Sequence, residues 1–314
     1  EERFRIRGGK TLTRVVRSTV HGPLINDALA MMPLPPEMPV QPLPVKTEYG
    51  LSLSWGIGDT AATILAFRAI GDSHDTAGAR KAILGMESWF LNIVYGDSES
   101  IAWQVSGSLP LRKKGEGMLP SPGWTGDYDW TGYRSPAMNP HLENPPEGFL
   151  ATANNRTVEK DYRPRISSSW YNPERDERIR QVIGPMRDAT VEEMQRLQFD
   201  RLSLMAAKTQ GLLFRGKSAK KIAAAMAGAP KEMADDAREA LAFLSPGRFN
   251  AVMKRDSASA AVFGAFMHSV TRRIFLDELG PEGSVPWEAF CDVSMMSYSA
   301  IQDHLLGRED SPFW

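Results

Sequence analysis

The chain has 314 residues, 42% hydrophobic and 24% charged, with a formal net charge of −1. Such a length holds one large domain or two modest ones around a substantial core, and the composition is that of an ordinary globular protein. The near-neutral balance argues against nucleic acid as a partner, because neutralising phosphates needs a basic excess. No run of about 18 apolar residues occurs, so no membrane span is expected. One cysteine, Cys291, excludes an intrachain disulfide.

In chain order, β-forming residues come first. Phe4 and Ile6, then Leu12, Val15, Val16 and Val20, predict two strands over 3–20, hinged at Gly8-Gly9-Lys10. Prolines at 33, 35, 36, 39, 42 and 44 exclude helix and central strand, leaving an extended excursion. Leu51-Ser-Leu-Ser-Trp55 alternates as a half-buried strand does. Helices are expected over 59–71 and 75–86. A hairpin follows, with 90–95 and 100–105 bracketing Gly96-Asp97-Ser98-Glu99.

From 107 to 175 the chain is rich in Gly, Pro, Trp, Tyr and Asn and shows little regular period. A stretch of that kind inside a compact domain points to function. Thr190 and Glu193 then form a capping box opening a helix through about 207, with an apolar stripe of Val191, Met194, Leu197, Leu202 and Met205. Helices over 218–227, 230–244, 257–279 and 286–306 follow. A β-rich portion, 1–180, thus precedes a mainly helical one, 181–314, an α+β arrangement. His21, His74, His141, His268 and His304 show no metal spacing. Gly56-Ile-Gly58 lacks the further glycine of a phosphate loop.

Within the irregular stretch lie Leu119-Pro-Ser-Pro-Gly-Trp-Thr-Gly-Asp-Tyr-Asp-Trp-Thr-Gly-Tyr133, Met138-Asn-Pro, Asn144-Pro-Pro-Glu-Gly148 and Gly148-Phe-Leu-Ala-Thr-Ala-Asn154-Asn155-Arg156, followed by Arg175. This frame closely resembles the β-chain of the penicillin amidase (penicillin acylase) family of N-terminal-nucleophile amide hydrolases. The resemblance implies an αββα sandwich, incomplete in this chain, with a helical C-terminal half. It also implies hydrolysis of an N-acyl amide, with penicillins or acyl-homoserine lactones as substrates. Family members use the β-chain's first residue, a serine exposed by self-cleavage, as nucleophile and its free α-amine as base. An α-amine suits that role because it titrates near neutrality.

By the same resemblance Asn154 supplies an oxyanion-hole N–H, and Arg175 organises the α-amine and that asparagine. On spacing alone, Asn154 reads as a loop asparagine bonding its own backbone, and Arg175 reads as part of a solvated charge cluster with Arg178 and Arg180. The acyl pocket maps onto Leu91, with Trp89 and Phe90 as neighbours. Strand alternation sets Leu91 and Trp89 on one face and Phe90 on the other, and plain core packing is the competing reading. A family calcium site expects an aspartate shortly after Lys160-Asp161-Tyr162, where Arg163-Pro-Arg165 stands instead, so no cofactor is expected.

The family's opening Ser-Asn-Asn is not in the chain, which begins with Glu1. The reading is therefore a portion of a longer, self-cleaving precursor, periplasmic or secreted by resemblance. Its expected partners are the remaining segments or a companion α-chain, and a small acyl amide as substrate. Two other readings remain: a catalytically inactive relative, and a carbohydrate- or peptide-binding module using Trp124, Tyr128, Trp130 and Tyr133 as stacking platforms.

Overall fold

The computed structural model describes residues 1–31, 49–56, 60–167, 170–284, 286, 287 and 290. The proline-rich excursion, Cys291 and most of the expected 286–306 helix lie outside them. The chain divides into two compact units. One takes residues 1–150 with 158–168, and the other takes 151–157 with the described residues from 170 onward.

The first unit opens on two hairpins. β1 (Glu2–Phe4) pairs antiparallel with β2 (Leu12–Arg14), Phe4 opposite Leu12, across the expected glycine turn. β3 (Ser18–Thr19) and β4 (Gly22–Pro23) form a second, tighter one, and the valines at 15, 16 and 20 fall outside every strand. Gly22 has φ 118°, and a Cβ there would lie 2.2 Å from the Leu53 carbonyl oxygen, so only glycine fits. Helix α1 (Asn26–Met31) follows.

The expected strand at 51–55 shrinks to one bridge, Leu24 opposite Ser52, flanked by Ile25 N–H to Leu51 O and Leu53 N–H to Pro23 O. Pro23 has no N–H to continue the ladder, and Ser54 turns its hydroxyl to His21 O.

α2 (Thr60–Gly71) and α3 (Thr76–Ile83) stand where the sequence places them. Asp75 caps α3 by accepting from Gly78 N–H at 2.7 Å. β5 (Asn92–Gly96) and β6 (Ile101–Val105) form the second expected hairpin. Asp97 closes its turn by accepting from Glu99 N–H and Ser100 N–H, both at 2.8 Å. The irregular stretch holds more order than its composition suggests. β7 (Pro110–Arg112) pairs with β8 (Trp130–Tyr133), and β9 (His141–Glu143) joins β6, giving a sheet ordered β5-β6-β9. Strands of three or four residues are too short to show a period. Ile83, Met86, Trp103, Val105 and Leu109 form the core of this unit.

The second unit is helical: α4 (Glu174–Ile183), α5 (Val191–Gln198), α6 (Leu204–Phe214), α7 (Gly216–Gly228), α8 (Lys231–Leu244) and α9 (Ala258–Leu279). The capping box is present, Glu193 N–H to Thr190 Oγ1 at 3.2 Å and Thr190 N–H to Glu193 Oε2 at 2.9 Å. The helix it opens ends at Gln198, not 207. Asp200 accepts from Leu202 N–H, Leu202 bridges to Val252, and Ser203 caps α6 as a new start. The expected stripe is divided with it: Val191 and Met194 are exposed and no α5 residue is buried.

Ala206, Leu213, Leu244, Phe249, Phe263 and Met267 form the core among α6, α8 and α9. Burying each of the larger side chains stabilises by about 1.5–3 kcal/mol. Beside this core α6–α9 line an apolar hollow of about 550 Å³. Among the described residues no helix is long and apolar enough to cross a membrane.

Candidate active site

The segment 151–157 belongs to the helical unit although residues on both sides of it belong to the other. Two consecutive asparagines divide its work. Asn155 turns inward to its own backbone, accepting from Ala153 N–H at 3.0 Å. That is the local role which spacing alone offers to Asn154. Asn154 itself has φ 63°, a left-handed conformation that asparagine tolerates better than most residues. Its carbonyl accepts from Tyr171 N–H at 2.9 Å, leaving the side chain free to face outward.

Arg175 is the second residue of α4. Its Nη2 donates to Ala153 O at 2.7 Å and to Asn154 Oδ1 at 2.9 Å, and its guanidinium lies 5.3 Å from the Tyr171 ring centroid. The neighbouring arginines are engaged elsewhere. Arg178 grips Asp200 with a two-pronged contact at 3.1 and 2.7 Å, and Arg180 meets Asp176 at 2.7 Å and Ala151 O at 3.3 Å. With Arg178 held by Asp200 and Arg180 by Asp176, the side chain that bonds the Asn154 amide is that of Arg175.

The surrounding carboxylates are matched to other cations. Glu174 and Asp176 flank Arg175 and are each only 7% exposed. Lys208 bonds Glu174 at 3.1 Å and Glu177 at 3.3 Å. Burial works against the Lys208 charge, yet those two carboxylates hold its pKa above the ordinary lysine value. The Arg178 guanidinium beside Asp200 holds that carboxyl below the usual range. Among the described residues Arg175 forms no ion pair, so its charge is directed at the 153–154 carbonyl and amide. Thr157 Oγ1, Trp170 Nε1, Asn172 Oδ1, Glu174 Oε2 and Asp176 Oδ1 are buried here with no hydrogen-bond partner among the described residues. Plain cores rarely gather such atoms.

The arrangement offers a neutral N–H donor held in one orientation beside a fixed positive charge. That suits stabilising an oxyanion. Among the described residues no hydroxyl or thiol bonds Asn154 or Arg175.

Trp89, Phe90 and Leu91 lie in the other unit, just before β5 rather than in it, so strand alternation does not divide them. All three are partly exposed. Ser106 Oγ ties them down, accepting from Leu91 N–H at 3.1 Å and donating to Trp89 O at 2.6 Å. Trp89 packs edge-on against Phe67, and Phe90 lies over Gly107, where a Cβ would come within 2.6 Å of the ring.

The place expected to supply a calcium ligand is occupied by two guanidiniums. Arg163 and Arg165 both pair with Glu116, at 2.9 and 2.5 Å. These residues do not fit a hard dication, and among the described residues no group of three or more His, Cys, Asp or Glu gathers to hold a metal. His21 bonds Gly123 O at 2.9 Å, a link within its own unit. Of the four aromatic residues considered as a platform, Trp124 is 77% exposed and stacks on Tyr49. Trp130 meets Tyr133 edge-on beneath Arg112, and Lys114 covers Tyr128.

Sequence reasoning overlooked α4 itself, Tyr171 and the role of Asn155. Pro173 followed by Glu174, Asp176 and Glu177 is a legible helix start.

The family model for penicillin amidase matches residues 1–314. An acyl-homoserine lactone acylase, QuiP, of Pseudomonas aeruginosa is 41% identical over 314 residues, all of this chain and 36% of the relative. Penicillin G acylase of Escherichia coli is 30% identical over 167 residues, 52% of this chain and 17% of the relative. The chain thus spans about a third of the length of the first of these curated relatives. Among solved structures, thermostable penicillin G acylase from Alcaligenes faecalis superposes with TM-score 0.64 at 18% identity, covering 90% of this chain and 47% of that one. The fold is therefore the N-terminal-nucleophile hydrolase fold expected from the sequence. With the family model matching from first residue to last, the chain belongs to the penicillin amidase family.

Proposed function

We propose that this chain carries the oxyanion-stabilising part of an amide hydrolase that removes an acyl group from an amine, with acyl-homoserine lactones as the leading substrates and penicillins as the alternative. The observation that supports it is the Arg175 contact to Asn154 Oδ1 at 2.9 Å. In this reading Asn154 Nδ2 donates to the carbonyl oxygen as negative charge develops there. Arg175 fixes the amide and, as a permanent cation, favours the neutral form of a nearby amine. The nucleophile is a serine at the start of a processed chain, its α-amine is the base, and both lie outside residues 1–314. Leu91, with Trp89 and Phe90, contributes apolar wall to the acyl pocket.

The 41% identity to a protein named as an acyl-homoserine lactone acylase favours lactones over penicillins. The test is hydrolysis by the full-length protein, measured as release of homoserine lactone or of the free β-lactam amine. Turnover of neither amide by correctly processed protein would refute the reading and favour an inactive relative. Residues 1–314 alone, supplied with substrate, are expected to release no amine.

A further inference from the structure

A second pocket lies in the first unit, between α3 and the sheet. It has a volume of about 280 Å³, and its charged and polar lining is Thr76, Arg80, Lys81, Tyr95 and Glu143. Its origin is legible in the register. Ala102 of β6 is paired with Tyr95 on one side and Glu143 on the other, so all three side chains rise from the same face of the sheet. With strands about 4.8 Å apart, Tyr95 and Glu143 stand roughly 10 Å from each other across a residue that has only a methyl group. Along α3, Ala77 is again small. The two alanines leave the hollow, and the longer side chains around them form its rim.

The rim carries both signs of charge, held apart. Arg80 is anchored from behind: its Nε donates at 3.2 Å to Oε1 of Gln104, which is fully buried and itself fixed by Nε2 donating to Val105 O and Pro140 O. Held this way, Arg80 lines the pocket. Among the described residues no ion pair or hydrogen bond engages the Lys81 ammonium or the Glu143 carboxylate. The Tyr95 phenol is pushed up by burial, and it feels the Arg80 charge and the Glu143 charge in opposite directions. Both charges therefore stand close to one hydroxyl without joining each other.

We propose that this pocket binds a small zwitterion, an α-amino acid, with its carboxylate on Arg80 and Lys81, its ammonium on Glu143 and the Tyr95 hydroxyl between them. A single carboxylate or amine would satisfy half of the rim and leave the opposite charge unanswered. The volume is near the lower end of ligand pockets, about 300 Å³, which sets the ligand at amino-acid size. No residue of this site belongs to the Asn154 segment, so it stands independently of the hydrolase reading.

The experiment is calorimetric titration of the full-length protein with glycine and L-alanine, and with acetate and methylamine as half-ligands. The amino acids should bind at least ~10-fold more tightly than either half. Glu143→Gln, at an exposed position, should weaken glycine by ~10-fold and leave acetate unchanged. Ala77→Leu, also exposed, should abolish binding by filling the hollow while every charge remains. Circular dichroism matching the parent's confirms that each variant is folded. The proposal is overturned if the amino acids do not bind, if acetate binds as well as glycine, or if both variants retain the parent affinity.

Discussion

Arg175 Nη2 stands 2.9 Å from Asn154 Oδ1, and that one contact decides which way the Asn154 amide faces. A guanidinium has only donors, so the atom facing it must be the amide oxygen. The amide nitrogen then points away from Arg175, and among the described residues no acceptor takes its hydrogens. The left-handed backbone at Asn154 and the Tyr171 N–H on its carbonyl keep the whole residue in that pose.

Asn154→Ala in the full-length protein should lower kcat by roughly 10²–10³-fold with little change in KM, the usual loss for one oxyanion donor. Asn154→Asp is the sharper variant. Its carboxylate would pair with Arg175 and preserve or raise stability, yet it replaces a donor with an acceptor and should be at least as inactive. Steady-state kinetics beside thermal unfolding checks both, and a variant that changes KM alone would displace Asn154 from this role.

Arg175→Lys keeps the charge but replaces a planar fork with a point donor that cannot hold Ala153 O and Asn154 Oδ1 in the same geometry. We expect kcat to fall by about 10-fold or more as the amide loses its fixed orientation. Arg175→Gln also removes the positive charge. Without that charge, the α-amine of the proposed mechanism should titrate higher, moving the acid limb of the kcat/KM profile up in pH. The pH–rate profiles of the two variants distinguish positioning from charge.

Leu91→Ala should redistribute preference along a series of acyl chain lengths by about 1–3 kcal/mol in kcat/KM, the worth of a methylene or two in an apolar pocket. An equal loss on every chain length would assign Leu91 to packing instead.

Acid should destabilise the protein through identifiable carboxylates. Asp200 is held below the ordinary range by Arg178, Asp97 by the backbone N–H groups of Thr76, Glu99 and Ser100, and Glu193 by the Thr190 cap. A carboxylate with a lowered folded-state pKa contributes stability that is fully present above its unfolded value, about 4, and lost as pH falls through the folded value. The unfolding midpoint should therefore drop steeply below about pH 4. Asp200→Asn and Asp97→Asn should each lower it at neutral pH and flatten the acid limb, measured by thermal denaturation at a series of pH values.

Regular elements with a local cause were legible. Asp75 capping α3, the Asp97 turn between β5 and β6, and the Thr190–Glu193 box are each written within a few residues. The break between α5 and α6 was not, because the partners that end the helix are distant: Arg178 on Asp200 and Val252 opposite Leu202. β9 was hidden for the same reason. Three residues show no period, and the strand exists only where β6 accepts it.

By itself the sequence determined the family frame and the helices after residue 190 in outline; it offered Asn154 and Arg175 for an oxyanion only through the family resemblance. Side-chain chemistry and short-range hydrogen bonding are local properties that a sequence states directly. Only the tertiary structure decided which asparagine of the pair faces its own backbone and which of three nearby arginines meets the other. Those choices depend on which carboxylate lies opposite each guanidinium: Asp176 meets Arg180 one turn along the same helix, but Asp200 reaches Arg178 from beyond α5, a contact that exists only in the folded chain.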